Sequence, residues 1–490
     1  MSDIAFASAA DLARKLKAKE LSAAELLEHY VARVDRFNPD LNAIVVDIRD
    51  QARERAAAMD AALADETGRG AFHGVPMTVK ESYNVAGTPT TWGNPAWQDN
   101  VPEEDAESLK KIAREGVNIF GKTNVPLSLA DFQSYNDVYG TTNNPYDHAR
   151  GPGGSSGGSA AALAAGLTGL ETGSDIGGSI RNPAHFCGIF GHKPTYDLLW
   201  MRGHTPPGDI RSSSDISVIG PMARSAEDLD IALRAMAGPD KIAARGFKLD
   251  LPEWRGRTLS DLRVAVWQND ERAPVSREVE ARVELVARAL ADAGASVDFE
   301  ARPGFTAEHS HDTYQWLLQA TMSARMPDED YESLKAYVAG FDPNDTSDGA
   351  KVMRAQVSSF KEWGAANELR HHLRWSWHDF FNREENTSAY DVLIAPIMPT
   401  AAFEHDHRKF SERTIMVDNQ ERPYFEQVFW AGLTGVAYLP STVIPTGLND
   451  QGLPIGVQIV GPEYSDLVTI GVAGELENAG FAFTPPPAYS

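Results

Sequence analysis

Hydrophobic positions in the first sixty residues recur at helical spacing, with Leu26, Tyr30, Val34 and Phe37 on one face. Ser8 with Asp11, and Ser22 with Glu25, sit three apart ahead of these runs, the capping-box pattern of a helix start. From about residue 70 the pattern changes. Residues 75–79 are a short apolar run ending in Lys80, which predicts a strand carrying a lysine at its end. Residues 104–115 suit a helix stopped by Gly116, and 117–120, followed by GKTN, read as the next strand. Further on, 262–267 predicts a strand. Val279, Val283, Val286 and Leu290 then form one face of a helix closed by Gly294, and 297–299 make another strand. Units of this kind imply a partly parallel sheet covered by helices. Over 305–390 the strand signal is lost and helices are expected, broken by the polar loop FDPNDTSDGA.

Composition narrows the function classes. A chain of 490 residues has a prior of two to four domains, or one unusually large one. Its 45 Lys+Arg against 69 Asp+Glu leave a net charge of −24, which argues against nucleic acid and against an anionic membrane surface as partners. A single cysteine, Cys187, cannot form an internal disulfide. The first twenty residues lack the basic-then-apolar order of a signal peptide, and no run reaches the ~18–20 apolar residues of a membrane span. A soluble, acidic, cytoplasmic protein is expected.

Two stretches carry the chemistry: GPGGSSGGSAAALAAG (151–166) and GSDIGGSIRNPAHFCG (173–188). Glycine at this density lets backbone N–H groups approach a ligand closely. Serines in such loops are candidate nucleophiles, with neighbouring amides as oxyanion donors. The bland alternative is a pair of flexible turns. A Walker loop would need GK[ST], which is absent, and a dinucleotide fingerprint fails because Ser156 stands where its third glycine belongs. Gly153-x-Ser155-x-Gly157 matches a nucleophile elbow literally, but NNPYDHARGP before it is polar and broken by proline, not a hydrophobic strand.

Together these stretches resemble the signature of the amidase signature family, serine hydrolases of amides. The likeness extends to ELSAAELLEHYVARVDRFNPDLNAIV, GVPMTVKESYNVAGTPTTWG, GKTNVP, NNPYDHARGPGGSSGGSAAA, GSDIGGSIRNPAHFCGIFGHKPT and GLPIGVQIVGPEYSD. The resemblance implies a Ser–Ser–Lys triad. Ser179 would be the nucleophile, Ser155 the bridging serine after a cis peptide at Gly154, and Lys80 the terminal base. The amides of Ile176, Gly177, Gly178 and Ser179 would form the oxyanion hole, with Ser156, Asp175 and Arg181 supporting the loops. It further implies a small-molecule amide substrate, no cofactor or metal, and an α/β fold: a single large domain over 1–490 whose twisted mixed sheet lies between helical layers. Within it, 1–65 would be N-terminal helices, 70–240 the catalytic core, 300–390 a helical insertion or cap, and 391–490 the return to the core. Glu81-Ser82 replaces the Asp-Asn of many relatives, and Leu127 replaces an acidic residue.

The chemistry is self-consistent. A serine hydroxyl needs a base to take its proton, and a lysine serves only when neutral, so its pKa must fall from ~10.4 through burial or nearby positive charge. Other readings compete. The pairs His309/His311 and His405/His407, both in loop-like sequence, invite a metal-dependent amidohydrolase. Cys187 with His185 or His192 invites a thiol hydrolase, and a small buried cysteine is the simpler view. A glutamine-hydrolysing component of an amidotransferase complex, and a non-catalytic binding protein on the same fold, are further alternatives; a homodimer is compatible. Trp316, Trp363, Trp375, Trp377 and Trp430, with Tyr314, Phe380, Phe381 and Phe429, crowd residues 300–430. They are expected either to wall an acyl pocket for neutral aryl or aliphatic amides or simply to pack helices.

Overall fold

A computed structural model describes residues 2–65, 70–382 and 385–490. The N-terminal helices form as the capping signals require. Ser22 accepts from the Glu25 amide at 3.1 Å while Glu25 Oε2 accepts from the Ser22 amide at 2.9 Å, opening helix Ala23–Leu41. Ser8 caps helix Ala9–Lys17 through the Asp11 amide, but the Asp11 carboxylate turns to Arg14 instead, so that box is half formed. Leu26, Tyr30 and Val34 are buried, and Phe37 packs against the same core.

The strands in chain order are β1 (Ile44–Asp47), β2 (Pro76–Lys80), β3 (Asn118–Thr123), β4 (Tyr135–Asn136), β5 (Gly140–Thr141), β6 (Glu171–Asp175), β7 (Phe190–Lys193) and β8 (Val218–Ala223). They continue with β9 (Arg263–Val266), β10 (Ser296–Asp298), β11 (Val392–Ala395), β12 (Thr414–Val417), β13 (Gln420–Pro423), β14 (Ser441–Leu448) and β15 (Pro454–Val460). Eight form a mixed sheet in the order β10-β9-β11-β15-β14-β7-β8-β6, with β9 parallel to β10 and β11. Successive residues of its strands enter opposite apolar layers: Val264 and Val266 one, Ala265 the other. Both faces are therefore covered, and inner strands such as β9 and β11 read as nearly unbroken apolar runs. Helix Arg277–Asp292 buries Val279, Val283, Val286 and Leu290, each worth about 1.5–3 kcal/mol relative to exposure.

Three details depart from the sequence expectation. The lysine-bearing strand β2 belongs to a separate three-stranded sheet, β1-β3-β2, within which β2 and β3 are parallel. That sheet meets the larger one at Met77 and Leu170, where the Thr78 amide donates to the Leu170 carbonyl at 3.3 Å. β1 lies inside the block expected to be purely helical; four residues were too few to register against the helical periodicity on either side. His309 and His311 sit in helix Ala307–Ser323, not a loop. The remaining cap helices are Asp328–Val338, Asp348–Gln356 and Phe360–Phe381. No helix among the described residues is long and apolar enough to cross a membrane.

Candidate active site

Lys80, the last residue of β2, is fully buried. Its Nζ lies 2.7 Å from Ser155 Oγ, 3.0 Å from Ser156 Oγ and 2.9 Å from Ser174 Oγ. Burial pushes its pKa down to about 7, although the carboxylates of Asp175 and Glu171 pull the other way. Three hydroxyls suit a neutral amine well: two can accept its N–H groups while the third donates to its lone pair.

The serines arrive on two loops that lock into each other. The Gly154–Ser155 bond is cis, and the backbone here runs so close to the chain at Asp131 that a Cβ on Gly154 would sit 2.3 Å from its carbonyl oxygen. Only glycine fits there. Asn182 Oδ1 accepts the Gly154 amide at 2.8 Å, and the Ser156 amide donates to the Ser179 carbonyl at 3.1 Å. Ser156 then opens helix Gly157–Ala164.

Asp175, at the end of β6, organises the second loop. Its carboxylate accepts the amides of Gly178 (2.9 Å), Ile180 (3.1 Å) and Arg181 (3.3 Å), and the Arg181 guanidinium at 2.8 and 3.0 Å. Burial alone would raise the Asp175 pKa, but Arg181 outweighs it and holds the carboxyl at about 2. Arg181, fully buried, reaches on to Thr434 and Gln458. Gly178 has φ +105°, a conformation that favours glycine.

Of the four amides expected in an oxyanion hole, that of Gly178 is therefore already engaged. Those of Ile176, Gly177 and Ser179 have no protein acceptor among the described residues. Ile176, Gly177 and Ser179 line a cavity of about 510 Å³. Ser179 is 8% exposed, and its hydroxyl makes no hydrogen bond to Ser155 or any other described residue. The structure thus joins Lys80 to Ser155 directly, and joins Ser179 to that pair through backbone.

The cavity is walled by Leu129, Phe132, Leu318, Met322, Val352, Phe410, Phe425 and Val428. None of the nine aromatics singled out in the sequence lines it. Trp377 and Trp430 are buried in the core, Phe380 and Phe381 stack around Trp377, and Trp375 is 66% exposed. The buried ones among them pack the core, one of the two roles the sequence left open. Every charged side chain at the cavity is ion-paired: Arg272 with Glu308, Asp348 and Glu426, Lys351 with Asp312 at 2.9 Å, and Asp131 with Arg413 at 2.7 Å.

Residues outside the site also find places. His405 bonds Asn143 and His407 stacks on Tyr135; both border a larger groove of about 960 Å³ that contains neither Lys80 nor the catalytic serine candidates. Cys187 is buried, its thiol held well above its usual pKa by burial and bonded to the Pro152 carbonyl. His185 is tied to the Gly456 and Thr400 carbonyls, and His192 to Thr442 and Asp466. Glu81 accepts the Thr91 and Trp92 amides, and Ser82 bonds His204, so these two departures from the familiar pattern shape a neighbouring loop. Leu127 is exposed. Sequence reasoning missed Ser174, Asn182 and Glu171, and named Tyr314 only among the aromatics of 300–430. Ser174, beside Asp175 in the glycine–serine stretch 173–188, was the one with a local signal.

This arrangement, a buried lysine under two interlocked glycine–serine loops, has the parts of a base-activated serine centre. The Amidase family profile matches residues 25–469, and the chain belongs to that family, enzymes that hydrolyse C–N bonds in amides. The chain is 30% identical to a component of the glutamyl-tRNA(Gln) amidotransferase of Nostoc punctiforme, covering 96% of this chain and 98% of that one. It is 31% identical to fatty-acid amide hydrolase 2-A from Danio rerio, covering 96% and 88%. Its fold superposes on a bacterial aryl acylamidase of the amidase signature enzymes with a TM-score of 0.80 at 24% identity, covering 99% and 97%.

Proposed function

We propose that the protein hydrolyses neutral carboxylic amides through an acyl-enzyme on Ser179. The observation that carries this is Lys80: a fully buried amine, its pKa near 7, within hydrogen-bond distance of three serine hydroxyls. Neutral Lys80 takes the Ser155 proton as Ser155 takes the Ser179 proton, and Ser179 Oγ adds to the amide carbonyl carbon. A rotation of the Ser179 side chain toward Ser155 closes the last link of this relay; such contacts often tighten only with substrate bound. The amides of Ile176, Gly177 and Ser179 receive the oxyanion. As the tetrahedral adduct collapses, the proton returns through Ser155 to the departing nitrogen. Water then enters along the same relay and releases the acid.

The cavity supports a neutral substrate. Its exposed wall is mostly apolar, and a carboxylate would have to displace a partner of Arg272 or Lys351 to find a cation. Similarity to an amidotransferase component supports a second reading, with glutamine as the amide hydrolysed. Comparing kcat/KM for a neutral aryl amide, glutamine and a dicarboxylic monoamide decides between them; preference for either charged substrate overturns the neutral-amide reading. Mass spectrometry after treatment with a fluorophosphonate tests the nucleophile, with the adduct expected on Ser179. Dialysis against a strong chelator is expected to leave the rate unchanged.

A further inference from the structure

The carbonyl of Ile176, at the lip of the candidate oxyanion hole, accepts a hydrogen bond from Tyr314 Oη at 2.8 Å. Tyr314 is fully buried and comes from helix Ala307–Ser323, 138 residues away in sequence. In a trans peptide the carbonyl and the following N–H point in opposite directions within one rigid plane. The Ile176–Gly177 bond is trans, the only cis bond among the described residues being Gly154–Ser155. A hydroxyl that fixes the Ile176 oxygen on the helix side therefore fixes the Gly177 N–H on the other. There Gly177 lines the cavity beside Ser179, and its amide has no acceptor among the described residues.

We infer that Tyr314 is a positioning residue which aims the Gly177 amide at the oxyanion. The ring is held for this task. A Cβ built on Gly432 would stand 2.3 Å from Tyr314 Cδ1, so helix Val428–Gly435 leaves only a glycine-sized gap behind the ring. Without the hydroxyl the Ile176 carbonyl has lost its anchor, and the peptide plane is free to turn its N–H away from the reacting centre. Helix Ala307–Ser323 also supplies Gln315, Leu318, Gln319 and Met322 to the cavity wall, so the element that touches the acyl group also sets the oxyanion donor.

This inference rests on the Ser179 acyl-enzyme reading. Tyr314→Phe keeps the ring and its packing while removing the anchor. Its kcat is expected to fall roughly tenfold, less than the 10²–10³ of deleting an oxyanion donor outright. KM should stay within about twofold, because the ground-state carbonyl depends little on preorganised donors. Affinity for a boronic acid, whose tetrahedral adduct places an oxygen in the hole, should fall in parallel with kcat. Gly432→Ala, which keeps the hydroxyl but forces the ring to shift, should produce the same split, and the double variant should be no worse than the more impaired single one. Fluorophosphonate labelling of Ser179 should persist in each variant. Wild-type kcat and boronate affinity in Tyr314→Phe would overturn the assignment while leaving the Ser179 reading intact. So would a fall in kcat matched by KM and thermal stability with the boronate affinity unchanged. If wild-type Ser179 takes no label, the acyl-enzyme reading fails and this assignment falls with it.

Discussion

Residues 151–188 and the cap helices differ in how they are held. Every residue of 151–188 except Ile176 is buried, whereas helix Asp328–Val338 buries none of its side chains and the loop after it is almost wholly exposed. The glycine–serine loops are fixed by backbone contacts and by one buried ion pair, Asp175–Arg181, both partners 0% exposed. At the cavity margin two cap helices, Ala307–Ser323 and Asp348–Gln356, are bridged by the ion pair Lys351–Asp312, with 36% and 42% of each side chain exposed. The proposed chemistry thus falls where the network of contacts is over-determined, and part of the cavity wall lies on elements whose ion pairs are individually weak. The first region should fail abruptly under substitution and the second should tune gradually.

The largest effect is expected at the proposed nucleophile, Ser179. Ser179→Ala should lower kcat by about 10⁴-fold or more with the fold retained, and Lys80→Ala and Ser155→Ala by comparable factors that do not multiply, since the three act as one unit. Near wild-type turnover of the best amide by purified Ser179→Ala would sink the mechanism. Next comes the buried ion pair. Asp175→Ala leaves Arg181 charged and uncompensated in the interior, which should cost about 3–5 kcal/mol in denaturant unfolding. A loss below 1 kcal/mol would mean that the centre is less rigid than its contacts imply.

The pH dependence sharpens the same contrast. With Lys80 near 7, activity should rise with pH through an apparent pKa near that value, belonging to the coupled Lys80–Ser155 system. Glu171, buried and raised to about 7, bonds Thr78 and the Thr172 amide, and its charge favours protonated Lys80. Glu171→Gln should therefore move the acid limb to lower pH. The stability linkage has definite signs. Between about 7 and 10.5 the unfolded chain holds a proton on Lys80 that the native chain lacks, so this contribution rises with pH. Glu171 contributes oppositely: its share is full below about 4.5 and is lost as pH rises through about 7. A rate that stays flat from pH 5 to 10 with chemistry rate-limiting contradicts a titrating lysine.

What could be read from sequence follows the same division. Ser155, Ser156, Asp175, Ser179 and Arg181 stand in two glycine-rich segments and Lys80 at the end of an apolar strand; the family resemblance singled them out, and the structure brings them together. Ser174 and Asn182 fell within those segments, but their roles arise from how one loop crosses the other. Tyr314 reaches Ile176 across 138 residues, and no local pattern marks a tyrosine in an amphipathic helix as an anchor. For the aromatics of 300–430 the sequence left pocket wall and helix packing both open; the buried ones face the core and none lines the cavity. Of the cavity aromatics, Phe132 comes from a loop, and Phe410 and Phe425 from 3-10 helices of three and four residues, too short to show periodicity. The lysine strand was legible as a strand but not as part of a second sheet, since pairing partners are set by tertiary contacts.

The smallest expected effect lies in the cap. Lys351 Nζ is held 2.9 Å from Asp312, a partner that raises its pKa by hydrogen bonding and keeps it from any substrate carboxylate. An exposed pair of this kind is worth about 0–1 kcal/mol, so replacing Asp312 removes little stability. It does, however, free a cation at the cavity wall. Asp312→Asn should therefore lower KM for a dicarboxylic monoamide by up to about fivefold, the factor that 1 kcal/mol allows, while kcat for a neutral aryl amide changes less than about twofold. The gain should shrink with added salt, since the new contact is screened within about 8 Å at physiological ionic strength. An unchanged KM for the anionic substrate at low salt would show that Asp312 is not what excludes carboxylates. Selectivity would then reside in the apolar wall around Leu318, Met322 and Val352, and truncation there, not charge, would be the way to alter it.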